Sequence, residues 1–143
     1  GVYFLNIEAG KPLSAWISRA LSGMPYEYAV MHRSIDDQYH RYSSLNRSKN
    51  FQLDARFRIG EQVSERSPLE IFLTEKYCAY VQSSGLLYRY EVHHKPWNLY
   101  NIEFSNLETG YRIGDIILHH APDIAHYSEG VQVLAWKRNL VSE

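Results

Sequence analysis

Phe51-Gln52-Leu53-Asp54-Ala55-Arg56-Phe57-Arg58-Ile59 alternates without a fault. Phe51, Leu53, Ala55, Phe57 and Ile59 fall on one side, and Gln52, Asp54, Arg56 and Arg58 on the other. Successive strand side chains point to opposite faces, so a period of two marks a half-buried strand with a solvated back. This stretch decides the fold class because its neighbours repeat the pattern. Upstream, Tyr26, Tyr28, Val30 and His32 share one face, and Glu27, Ala29, Met31 and Arg33 the other. Asp36-Asp37 punctuates a turn, Gln38–Leu45 reads as the return strand, and Asn46–Asn50 as a polar loop. Downstream, Cys78–Gln82 and Leu86–His94 flank Ser83-Ser84-Gly85 as a hairpin. Residues 2–8 and Tyr100–Leu107 read as further strands, and Asp115–His120 fits either a short helix or a strand. Val131–Arg138 has few polar interruptions, which predicts a central or covered strand.

Two helices interrupt this series. Lys11-Pro12 opens the first, with proline at an early position where its missing N–H costs nothing. Leu13, Trp16, Ile17, Ala20 and Leu21 then form one apolar stripe at helical spacing, until Gly23 and Pro25 end it. Ser67-Pro68-Leu69-Glu70 is a capping box, so a second helix starts there and continues through Leu69, Phe72 and Leu73 towards Lys76 or Tyr77. Runs of antiparallel strands with two inserted helices, rather than alternating βαβ units, predict an α+β domain with a strongly curved sheet or barrel.

The 143 residues suit a single domain spanning 1–143, and no linker, repeat or low-complexity tract divides it. The abrupt start at Gly1-Val2-Tyr3-Phe4-Leu5 raises the expectation of a missing upstream segment. Formal charge is -1 with scattered basic residues, so no nucleic-acid footprint is expected. A single cysteine, Cys78, excludes an internal disulfide and a multi-cysteine zinc site, and points to a reducing, cytoplasmic setting. No apolar run approaches the ~20 residues of a membrane span, so no membrane partner is expected. Twelve tyrosines suit half-buried sheet surfaces or the walls of a ligand cavity, since the ring buries while the hydroxyl needs a partner.

Sequence chemistry is sparse. There is no G-x-S-x-G elbow, no P-loop and no G-x-G-x-x-G, so no nucleotide or other cofactor is expected. His93-His94, His119-His120 and His126 supply imidazoles without a metal-ligand spacing, and neighbours on a strand face opposite ways, so no metal is expected. Cys78 sits in apolar surroundings that suit a packed thiol. Glu27, Asp54, Glu91 and Glu103 lie on strands whose outer faces would solvate them. Glu27 stands out because it follows directly on the first helix stop.

Several stretches, in order and together covering nearly the whole chain, resemble the uncharacterised YqjF-like family of bacterial proteins. They include Arg19-Ala20-Leu21-Ser22-Gly23-Met24-Pro25-Tyr26, Phe72-Leu73-Thr74-Glu75-Lys76-Tyr77, His93-His94-Lys95-Pro96-Trp97 and His126-Tyr127-Ser128-Glu129-Gly130-Val131. The resemblance implies that the chain corresponds to the C-terminal two-thirds of such proteins. It also implies a fold like that of acetoacetate decarboxylase, a curved antiparallel barrel around a cavity. In that enzyme a helix, a Gly-aromatic-Pro turn and a lysine pair follow in order, and one lysine forms a Schiff base while the other lowers its pKa. Aligned at Gly23 and Pro25, those two positions hold Tyr26 and Glu27, which cannot form an imine, and no lysine lies beside the turn in sequence. The expectation is therefore a domain binding a small polar or aromatic ligand, such as an acid, without Schiff-base decarboxylase activity. Tyr26, Glu27, Tyr28, His32 and His94 are its candidate ligand residues. Two alternatives stand beside it: an enzyme using Glu27 or His94 as general acid or base, and a structural module that pairs open sheet edges in a homo-oligomer.

Overall fold

The computed structural model describes residues 1–141. Its largest element is an antiparallel sheet built on the alternating stretch quoted above. Strand β4 (Val30–Asp36) pairs with β5 (Tyr39–Asn46), β5 with β6 (Phe51–Gln62), β6 with β9 (Tyr100–Ile113), and β9 with β10 (Ile116–Leu118). A two-residue strand, β11 (His126–Tyr127), also pairs with β9. Asp37 supplies the left-handed residue of the β4–β5 turn at φ 54°, a conformation aspartate tolerates better than most side chains. The ladder between β6 and β9 shifts register after Arg56, where Ser105 is the extra residue and its hydroxyl donates to the Arg56 carbonyl at 3.2 Å.

A second sheet carries the predicted hairpin. β7 (Cys78–Ser83) and β8 (Leu86–His94) are joined by Ser84 and Gly85, both at positive φ, as a two-residue hairpin turn requires. β1 (Val2–Tyr3) lies parallel to β7, and β12 (Val133–Ala135) and β13 (Asn139–Leu140) both pair with β8. A third, two-stranded sheet sets β2 (Ile7–Ala9) parallel to β3 (Tyr26–Tyr28).

The class is α+β, as expected, but three expectations need correction. No sheet closes on itself among the described residues, so there is no barrel, and two of the strand pairs are parallel. Residues 2–8 form two short strands in different sheets. Val131–Arg138 is neither central nor covered. Its regular part is β12, at a sheet edge, with Leu134 63% and Trp136 56% exposed. A run of apolar residues reads as two-sided burial only when both faces find a neighbour, and here one edge and the faces remain open. The undecided stretch Asp115–His120 contains β10.

Helix α1 (Pro12–Ser22) ends where the sequence predicts. Gly23 adopts φ 71°, its N–H donates to the Arg19 carbonyl at 2.8 Å, and a Cβ at that position would meet the Arg138 guanidinium at 2.6 Å. Tyr90 Oη and Arg138 Nη1 both donate to the Ser22 carbonyl, which places a cation at the negative end of the helix. The buried residue of α1 is Ala15, whereas Leu13, Trp16 and Leu21 on the apolar stripe face outward, Leu21 at 80% exposure. Helix α2 (Pro68–Thr74) carries the capping box: Ser67 Oγ accepts from Glu70 N at 3.2 Å, and Glu70 Oε2 accepts from Ser67 N at 2.6 Å. Core side chains are few and many are small. Phe51, Ala55 and Phe57 are buried on the large sheet, Ala79 and Val81 on β7 of the second sheet, and Leu99 and Ala29 in the connections.

Candidate functional site

Cross-strand register brings Tyr42, Ala55 and Leu107 together on the inner face of the large sheet, and Ser44, Leu53 and Thr109 in the next row. Phe57 adds an aromatic layer, stacked on Tyr42 and on His40 and meeting Phe104 edge-on. The stretch from Ile117 to Asp123, with Ala125 and His126, roofs this floor and leaves a groove of about 620 Å³.

A polar corner lies beside the groove, reached through Tyr111. Glu8 and Glu27 are register partners across the parallel β2–β3 pair, so their side chains leave the same face. Glu8 Oε2 accepts from Ser44 Oγ at 2.5 Å and from Tyr111 Oη at 3.3 Å, and Glu8 Oε1 is buried with no hydrogen-bond partner among the described residues. Glu27 Oε2 accepts from Asn46 Nδ2 at 3.0 Å, and its other oxygen lies 3.6 Å from Lys49 Nζ. Asn46 is fully buried, and its carbonyl oxygen accepts from Ser48 Oγ at 2.8 Å and Lys49 N at 3.2 Å. Burial, and then the charge of Glu8, push the Tyr111 hydroxyl up to about 12, so it remains a neutral donor. Tyr111 also lines the groove, which ties the carboxylate pair to it.

A second groove, of about 880 Å³, opens where the sheets, α2 and irregular segments meet. Met24, Tyr26, Lys76, His94, Trp97 and His126 are among its lining residues. His94 is buried, with Nδ1 at 2.8 Å from the Lys95 carbonyl and Nε2 at 3.1 Å from the Lys76 carbonyl. Each ring nitrogen thus faces a backbone carbonyl, and in the neutral ring the one that carries the N–H donates to it. His126 presents the opposite case. Its Nε2 lies 2.6 Å from Glu70 Oε1, and its Nδ1 is buried without a partner among the described residues. Hydrogen bonds from Ser67, and then from His126, bring the Glu70 carboxyl down to about 2.

The candidate residues from sequence are therefore separated. Tyr26 and His94 share the second groove, whereas Glu27 turns to the polar corner beside the first. Tyr28 is exposed, and His32 lies in a shallow depression with Ser43 and Asp54. The shared face breaks at Ala29, which is 1% exposed and donates its N–H to the Ala9 carbonyl at 3.0 Å. There the chain passes from the parallel pair into the large sheet. Asp54, Glu91 and Glu103 pair with Arg41, Arg89 and Arg58 on exposed surfaces. Lysines distant in sequence also approach the turn region in space: Lys49 reaches Glu27, and Lys76 reaches the groove of Met24 and Tyr26. No three His, Cys, Asp or Glu side chains among the described residues converge as a metal site, and no described helix is long and apolar enough to cross a membrane.

Fold and site define an α+β domain with an open, aromatic-floored groove flanked, through Tyr111, by a half-buried pair of carboxylates. The chain belongs to DUF2071, a family described as an uncharacterized conserved protein, whose model matches residues 1–132. It is 29% identical over 140 residues to the uncharacterized protein YqjF of Bacillus subtilis (strain 168), a match covering 95% of this chain and 58% of that protein. The chain thus spans less than two-thirds of that relative's length. No solved structure matches it.

Proposed function

We propose that this domain binds a small ligand with an aromatic or apolar body in the groove on the inner face of the large sheet. A hydrogen-bond-donating head, a hydroxyl or an amine, would turn to the Glu8–Glu27 corner. The carrying observation is Tyr111, which lines the aromatic-floored groove and donates to Glu8, whose Oε1 is buried with no partner among the described residues. A buried acceptor left open costs about 1–3 kcal/mol, which a ligand donor would offset. Two carboxylates beside the groove disfavour an acidic head, so amines and alcohols fit better than the small acid the sequence suggests. A thermal-shift panel of small aromatic amines, alcohols and acids tests this. Amines or alcohols should stabilise the fold, and Tyr111→Phe should weaken the effect. Failure of every compound, or a preference for acids, would refute it.

The turn at Gly23-Met24-Pro25 and the antiparallel sheets around a groove support a distant kinship with the acetoacetate-decarboxylase fold. Tyr26-Glu27 in place of the lysine pair supports binding without an imine. Borohydride trapping with acetoacetate should leave the chain unmodified, and an adduct at Lys49 or Lys76 would overturn that part. A second reading has one observation in its favour: Glu8 and Glu27 are register partners, which brings two carboxylates side by side for acid and base roles. Glu27→Gln would then abolish a turnover that His94→Gln leaves intact.

A further inference from the structure

We infer that His126, gripped by Glu70, is a hydrogen-bond acceptor for a hydroxyl-bearing ligand at the wall between the two grooves. This rests on the reading of the grooves as ligand sites but concerns a different group from the carboxylate corner. The imidazole of His126 borders both grooves. It is held from two directions: the backbone of β11 is laddered to β9, with His126 opposite Asn101, and Nε2 lies 2.6 Å from Glu70 Oε1. Glu70 is itself fixed, because its second oxygen accepts from the Ser67 backbone at 2.6 Å. A carboxylate only accepts, so Nε2 carries the N–H, and in the neutral ring Nδ1 is left with a bare lone pair. That nitrogen has no partner among the described residues.

His94, in the same groove, shows the alternative. Each of its nitrogens faces a backbone carbonyl, so the single N–H of the neutral ring finds an acceptor in either tautomer. A carboxylate on one nitrogen and nothing on the other is the arrangement that orients an imidazole to receive a proton donor. An O–H suits this acceptor, because it can reach one lone pair without a counter-charge. Nδ1 is sealed from solvent, so a ligand reaches it as the roof shifts. The roof from His119 to Ala125 carries no regular secondary structure.

The test uses phenol and toluene, which share shape and differ in the hydroxyl. In the unsubstituted chain, labelled with 15N at histidine and studied where the ring is neutral, phenol should move the Nδ1 resonance of His126 saturably and toluene should not. His126→Phe should weaken phenol about tenfold, the loss of one net hydrogen bond, and leave toluene unchanged. Saturable binding of both probes with the Nδ1 resonance unmoved would overturn this inference alone. Absence of binding by either probe would sink the groove reading with it. The spectroscopic arm needs no substitution, so it decides the question even where His126→Phe does not fold.

Discussion

The two grooves have similar apolar linings and opposite construction. The inner groove lies on one continuous lattice, where β5, β6 and β9 set Phe57, Tyr42 and Leu53 by register. The second adds to strand residues of the β1–β7–β8–β12 sheet the separate pieces α2, residues 95–99 and β11, which side chains pin: His94 between two carbonyls, and Glu70 on Ser67 and His126. A lattice fixes the shape of a site through many weak contacts, whereas pins concentrate that control in a few hydrogen bonds. The first should therefore answer to core substitutions and the second to caps and pH.

The largest effect should come from Phe57→Ala, which removes a buried ring stacked on two neighbours and costs about 3–5 kcal/mol in urea unfolding. A loss below 1 kcal/mol would mean that the lattice collapses onto the gap and the contrast is overstated. Asn46→Leu should follow at about 1–3 kcal/mol, because the Glu27 carboxylate loses its donor and the β5–β6 turn its acceptor. Ser67→Ala should cost about 1 kcal/mol, and its amide-exchange signature should centre on α2 and β11 while the large sheet stays protected. Acid should act on the same pin. The Glu70 carboxyl sits at about 2 instead of its ordinary 4.5, so its contribution is complete above 4.5 and is lost as pH falls through about 2. Circular dichroism across that window should show a smaller loss in Glu70→Gln than in the parent chain. His32→Ala, on an exposed strand face outside both grooves, should stay within about 0.5 kcal/mol and leave ligand binding unaltered.

Local signals were legible in the sequence. The Phe51–Ile59 alternation, the Ser67 capping box, the Gly23 stop and the Ser84-Gly85 turn each depend on chemistry within a few residues, and each stands where its pattern predicts. What failed depends on distant partners. Leu13, Trp16 and Leu21 make a good helical stripe, yet nothing in that spacing states which face meets the sheets. The apolar run from Val131 gave no sign of lying at an edge. Glu27 was legible as unusual, whereas Glu8, its register partner, was hidden in a strand terminus, and Asn46 passed for a loop residue. The Glu70–His126 pair joins positions 56 apart. Glu70 was read fully as a cap, and the cap left its second oxygen free for a role no local pattern encodes.

The last carbonyl of α1 offers a kinetic consequence. Ser22 receives donors from Tyr90 and from Arg138, which lie 68 and 116 positions further along the chain. The helix can form early, but its C-terminal end is completed only when the hairpin and the closing strand have arrived. A contact closed over such separations surrenders much chain entropy and so forms late. Stopped-flow refolding should therefore show Arg138→Ala speeding unfolding while leaving the refolding rate nearly unchanged, the behaviour of a contact made after the transition state.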